Sequence, residues 1–87
     1  MGKVTFRDKA WDQYNEWADE NPKIGRKIAK LIQESRRDPF HGTGKPEPLK
    51  GNLSGYWSRR ITEEHRLIYR VNGDVLEILS CMGHYED

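Results

Sequence analysis

Glu47 stands between two prolines in the run Lys45-Pro46-Glu47-Pro48, Arg60 and Arg66 follow on a later segment, and His84-Tyr85 lies near the C-terminus. A carboxylate, arginines and a histidine form the set needed to cleave RNA without a metal. The carboxylate can take the proton from a 2′-hydroxyl, an arginine can stabilise the extra charge on a pentavalent phosphorus, and the histidine can protonate the departing 5′-oxygen. The product of that route is a 2′,3′-cyclic phosphate, and DNA, which lacks the hydroxyl, is inert to it. Glu47 suits the first role because Pro46 and Pro48 restrict the backbone on both sides, so positioning its side chain costs less entropy. His84 suits the general acid, since an imidazole titrates near about 6.5, provided a phosphate or carboxylate keeps it protonated. Tyr85 adds a stacking ring or a hydroxyl donor. Taken singly, each residue also fits a plain solvated surface position. Walker loops, HExxH, cysteine pairs and EF-hand spacings are all missing from the sequence, which argues against metal or nucleotide-triphosphate chemistry, so no metal and no cofactor is expected.

These groups need a scaffold. Lys3 to Arg7 alternates in polarity and predicts a first strand. Asp8 can cap a helix running to about Glu20, with Ala10, Trp11, Tyr14, Trp17 and Ala18 on one side. Asn21-Pro22 is a second start signal, a cap followed by proline at the first helical position, and Ile24, Ile28, Leu31 and Ile32 form the next stripe. Arg36 and Arg37 favour that helix's C-terminal dipole, and Asp38-Pro39 stops it. Residues 38–55 hold four glycines and three prolines and predict a loop, with at most a short strand near Pro48 to Lys50.

Asn72-Gly73, between two apolar runs, predicts a type I′ hairpin. Pairing Val71 with Asp74 sets Tyr69 opposite Leu76 and Leu67 opposite Ile78, so that Leu67, Tyr69, Leu76 and Ile78 face the helices. A preceding strand, Tyr56 to Ile61, is joined through Thr62-Glu63-Glu64. With a three-residue loop, Trp57 meets Tyr69 on the core face and Arg60 falls directly opposite Arg66. The other face then carries Tyr56, Ser58, Arg60, Arg66, Ile68 and Arg70, open to solvent or ligand. The expected fold is α+β, a two-helix hairpin packed on a small, mainly antiparallel four-stranded sheet. Like charges directly opposite each other destabilise a sheet, so Arg60 and Arg66 imply either a bound anion or neutralisation by Glu63, Glu64 or Glu77.

Residues 1–87 are read as one domain, small enough to bury only about 60 to 65% of its unfolded surface. Hydrophobic residues make up 34% and charged residues 33%, a lean globular composition and not a disordered one. The net charge of +1 is unevenly spread: residues 23–70 carry 12 basic and 5 acidic side chains, whereas both flanking segments are net negative. A basic centre interleaved with Tyr56, Trp57 and Tyr69 is compatible with a polyanion, although much of Lys23 to Lys30 also reads as a solvated helix face. The single cysteine, Cys81, rules out an internal disulfide and fits a reducing compartment. With no apolar run near 18 residues and no secretory pattern, the reading is a cytoplasmic protein away from membranes.

The longer runs carry a resemblance. Trp11-Asp12 with Tyr14 and Trp17, Arg36-Arg37-Asp38-Pro39-Phe40, the stretch GTGKPEPL over 42–49, LSGYWSRRITEEHRL over 53–67, and the final His84-Tyr85 are together similar to the YoeB, or Txe, branch of the RelE-like toxins of bacterial type II toxin–antitoxin systems. The resemblance spans essentially the whole chain. It implies a RelE-like fold and an endoribonuclease that cuts messenger RNA in the ribosomal A site, is silenced by a cognate antitoxin and forms a homodimer. It further implies Glu47 as general base, His84 as general acid and Arg66 as the phosphate-stabilising residue, with Lys50, Arg60 and Tyr85 supporting substrate binding or the transition state. Glu86 and Asp87 depart from the pattern, since the family ends at or near the His-Tyr pair; they would raise the histidine's pKa or repel RNA. Two competing readings are a protein of the same fold that poisons a target such as a DNA gyrase, and a non-catalytic RNA-binding module.

Overall fold

Apolar periodicity places both helices as expected, and the second also has the expected cap. The computed structural model describes residues 2–83, which form β1 (Lys3–Phe6), α1 (Asp8–Glu20), α2 (Pro22–Arg37), β2 (Glu47–Pro48), β3 (Trp57–Arg60), β4 (Arg66–Asn72) and β5 (Val75–Ser80), with a 3-10 turn at Gly51–Leu53. Asn21 caps α2 by accepting from the Ile24 amide at 3.4 Å, and Pro22 follows at the first helical position. Asp8 does not cap α1. It is the first helical residue, Arg7 is the cap, and Asp8 acts instead as the acidic group of the first turn, where it complements the dipole. Among the described residues, no helix is long and apolar enough to cross a membrane.

The sheet has five strands, not four, in the order β1-β5-β4-β3-β2. It is mixed, because β1 runs parallel to β5 while the other pairs are antiparallel. The additional strand is β2, whose two residues pair with Ser58 and Trp57. Proline is tolerated there because β2 is an edge strand, with no neighbour to receive the missing amide.

The β4–β5 register differs from expectation. Tyr69 pairs with Ile78 and Val71 with Leu76. Asn72 stays in the strand, and Gly73 at φ 63 takes the first turn position, so the loop has the Gly-first form of a two-residue hairpin rather than the Asn-Gly form. The displacement is even, so every side chain keeps its face. Leu67, Tyr69, Leu76 and Ile78 all lie in the core with Ala10, Ile28, Leu31 and Ile32 from the helices. A bulge beside Ile68 then sets Ile68 opposite Ser80.

Candidate functional site

On the sheet face away from the helices, register alone brings the charged groups together. Arg60 pairs directly with Arg66, as the three-residue loop requires. Glu47 pairs with Ser58, Ser58 with Ile68, and Ile68 with Ser80, so these four form one row and the two arginines the next. Glu47 is thereby the diagonal neighbour of Arg60, about 7 to 8 Å away between backbones and within reach of long side chains. Glu47, Lys50 and Arg60 are exposed, and Arg66 is half-buried.

The face is not open throughout. Ile68 is 1% exposed and Ser58 and Ser80 are buried, because they occupy the middle of a five-stranded sheet with rows of longer side chains on either side. Ser80 Oγ is buried with no hydrogen-bond partner. Beyond that row, Glu77 pairs with Arg70 through Nε, which holds its carboxyl below the usual range. Arg70 also lies over the Tyr56 ring, 5.0 Å from its centroid. Glu77 therefore serves Arg70. Among the described residues no ion pair includes Arg60 or Arg66; Arg66 Nη1 instead donates to the carbonyls of Thr62, Glu63 and His65 at 2.7, 3.0 and 3.1 Å. Those bonds orient the guanidinium without neutralising it.

His84 and Tyr85 lie outside the described residues, but the segment that leads to them is firmly held. The Arg66 amide donates to the Gly83 carbonyl at 2.8 Å, and the Gly83 amide donates to His65 Nδ1 at 2.8 Å. Trp17 Nε1 donates to the Cys81 carbonyl at 2.8 Å, and the Cys81 amide to Gln13 Oε1 at 2.7 Å. The chain thus leaves the sheet beside Arg66, at the end where the two arginines meet. His65, packed edge-on against Trp17 with centroids 4.9 Å apart, was not singled out from sequence. Its signal was only its place next to Arg66.

Arg59 was missed as well. Its neighbours Trp57 and Arg60 have the expected faces, so alternation puts Arg59 on the helix side, where it is 0% exposed. Nε donates to Tyr69 Oη at 3.0 Å, Nη1 to the Thr43 carbonyl at 3.1 Å, and Nη2 to the carbonyls of Asp38 and His41 at 2.6 and 2.9 Å. Glu34 Oε1 lies 3.4 Å from Nη1 and accepts from the Thr43 amide. That amide first, and Arg59 after it, hold the Glu34 carboxyl below its ordinary range.

Comparison with known proteins agrees with this architecture. The family model for the "YoeB-like toxin of bacterial type II toxin-antitoxin system" matches residues 6–85. "Toxin YoeB" of Escherichia coli K12 is 54% identical over 83 residues, covering 95% of this chain and 99% of that protein. The solved YoeB/ParE toxin from Agrobacterium tumefaciens superposes with a TM-score of 0.93 at 48% identity, over 95% of this chain and 99% of that one. YoeB from Staphylococcus aureus, solved both in complex with YefM and as a YoeB dimer, gives a TM-score of 0.89 in each case at 43% and 42% identity, over 95% of this chain and 97% of that one. A two-helix layer on a mixed five-stranded sheet, and identity near one half over almost the whole length, lead to one conclusion: the chain belongs to the YoeB-like toxins of bacterial type II toxin–antitoxin systems.

Proposed function

We propose that this toxin is a metal-independent endoribonuclease that cuts messenger RNA in the ribosomal A site and so inhibits translation in the cytoplasm. The observation that carries the reading is the directly opposed Arg60–Arg66 pair, outside every ion pair among the described residues, with Glu47 diagonal to it. Two cations held opposite each other, with no counter-charge among the described residues, suit a phosphate, and a carboxylate one row away suits the role of accepting the proton of the neighbouring 2′-hydroxyl. Arg66 stabilises the charge that grows on the phosphorus, oriented beforehand by the three carbonyls on its Nη1. Arg60 and Lys50 hold the flanking RNA backbone. His84 protonates the 5′-oxygen and Tyr85 supports the substrate there; the pinning of Gly83 to the Arg66 amide favours this, since it starts the tail at the phosphate seat. By analogy with the relative solved with YefM and as a dimer, a cognate antitoxin neutralises this toxin, and the toxin pairs with itself.

The test is single-turnover cleavage of a ribosome-bound message by the wild type, Glu47→Gln, Arg66→Ala and His84→Gln. Each substitution should lower the rate by about 10²-fold or more, with little change in ribosome binding because these interactions strengthen in the transition state. The product should carry a 2′,3′-cyclic phosphate. A message with a 2′-deoxy sugar at the scissile nucleotide should resist cleavage; cutting it at the normal rate would refute the mechanism. Translation arrest with the message left intact would favour a protein target instead.

A further inference from the structure

The loop that delivers Glu47 is organised around one buried cation on the opposite side of the sheet. Burying a guanidinium is costly unless it is paired and hydrogen-bonded; Arg59 takes its ion pair from Glu34 on α2 and most of its hydrogen bonds from the segment that precedes β2. Its donors reach the carbonyls of Asp38, His41 and Thr43. Tyr69 Oη takes the Nε bond and donates in turn to the Pro39 carbonyl at 2.7 Å. Glu34 closes the ring by binding both Arg59 and the Thr43 amide. The path from this ring to Glu47 is short and strained. Gly44 has φ 86, and Lys45, at φ 52, is the one non-glycine residue with positive φ among the described residues. Such conformations persist where the surroundings over-determine them. Here the Arg60 amide does so by donating to the Gly44 carbonyl at 2.7 Å, and past Glu47 the Leu49 amide donates to the Tyr56 carbonyl at 2.9 Å. Space is also committed: a Cβ at Gly42 would run into Glu34 Oε1, and one at Gly44 would come within 3.0 Å of the Arg60 carbonyl.

We propose that Arg59 is a positioning residue for the reaction: from the helix side it clamps residues 38–44 so that Glu47 is presented at a fixed offset from Arg60 and Arg66. Consecutive residues of β3 thus divide the work. Arg60 faces the phosphate seat, while Arg59, behind the sheet, sets where the base stands relative to it. Lysine cannot replace it, because an ammonium lacks the planar fork that reaches a hydroxyl and three carbonyls in fixed directions. The assignment of consequence to cleavage rests on the nuclease reading above; the clamp itself does not.

The test combines Arg59→Lys with Tyr69→Phe, which removes only the hydroxyl between Arg59 and Pro39 and keeps the core volume should the arginine variant fail to fold. A base displaced by about 1 Å costs about 10²-fold, so Arg59→Lys should lower single-turnover kcat about 10- to 10²-fold, and Tyr69→Phe about 3- to 10-fold, with KM nearly unchanged. In a Glu47→Gln background the same changes should cost less than about twofold, since their effect passes through Glu47. Hydrogen exchange should show lost protection at the Arg60 and Leu49 amides, with the Ile78 amide still protected. Equal losses with and without Glu47, or unchanged protection at Arg60 and Leu49, would overturn the proposal. If Glu47→Gln alone leaves cleavage intact, the role of Glu47 as base fails, and if the wild type leaves the message intact the nuclease reading fails; in either case exchange at the two amides still decides whether Arg59 clamps the loop.

Discussion

Replacing Arg60 with glutamine should make the free toxin more stable and less active at once. Arg60 stands directly opposite Arg66, and neither belongs to an ion pair among the described residues. A directly opposed cross-strand pair is worth about 0.2 to 1 kcal/mol, unfavourable for like charges, and unit charges 4 Å apart in water repel by about 1 kcal/mol, which sets the same upper bound. For a domain of this size each kcal/mol moves Tm by about 4 to 8 °C, so relief of the repulsion should raise Tm by about 1 to 8 °C. Glutamine keeps much of the stem and removes the charge. The same change deletes a charged contact to substrate worth about 1.5 to 3 kcal/mol, so single-turnover cleavage should fall by about 10- to 10²-fold. Thermal melts at low salt and in 1 M salt provide the control: the Debye length drops to about 3 Å in 1 M salt, and the gain should vanish there. A lower Tm at low salt, or a gain that survives 1 M salt, would refute the idea that the two arginines await an anion.

Other expectations follow from the core and its buried groups. Burial pushes the Cys81 thiol up to about 12. Because that value is raised, its contribution to stability is complete below the unfolded thiol's pKa and is lost as pH rises through about 12; at pH 8 iodoacetamide should label the protein only once it is unfolded, and labelling at the unfolded rate would contradict this. Glu34 is depressed, with the Thr43 amide as the main cause, so its contribution is present above the unfolded carboxylate value and is lost as pH falls through the lower folded one. Glu34→Gln should therefore flatten the acid limb of stability in urea titrations, and an unchanged acid limb would count against the bond. Ile28→Ala, at a fully buried position on α2, should cost about 2 to 5 kcal/mol, read as a drop in urea midpoint; a loss below about 1 kcal/mol would show a core that collapses easily.

What the sequence revealed depended on whether the informative contact was made by side-chain pattern or by backbone. Trp57, Arg60, Arg66 and Tyr69 were placed correctly because alternation and a three-residue loop leave no other register. The Asn72-Gly73 turn was located but its loop was displaced, since Gly73 suits either form of hairpin; the core survived the error because the shift was even. The short strand allowed near Pro48 to Lys50 lies instead at Glu47 and Pro48, a position that two residues without a period could not fix because their pairing is conferred by β3. Arg59 and His65 were hidden for a related reason. Most of their partners are main-chain groups, which every sequence possesses and none advertises, and a buried arginine contradicts the polarity by which surface residues are recognised. His84 and Tyr85, singled out by side-chain chemistry and given their roles by resemblance, lie outside the described residues.

The pairing of β1 with β5 also bears on how the molecule comes into being. Lys3 meets Val75, so this closure spans about 70 residues, and its loop entropy is about 3.8 kcal/mol plus a constant, far above that of the two-residue β4–β5 hairpin. The hairpin should form first and the parallel ladder last. During synthesis β1 and the helix pair emerge without the strand they must lean on, because β5 is made after every other element of the sheet. A nascent chain from which β5 has not yet emerged thus lacks both the inner strand and the arginine face that β5 completes. Stalled nascent chains cut within β5 should therefore be as protease-sensitive as unfolded protein, and resistance at that stage would show that the sheet can assemble without its final strand.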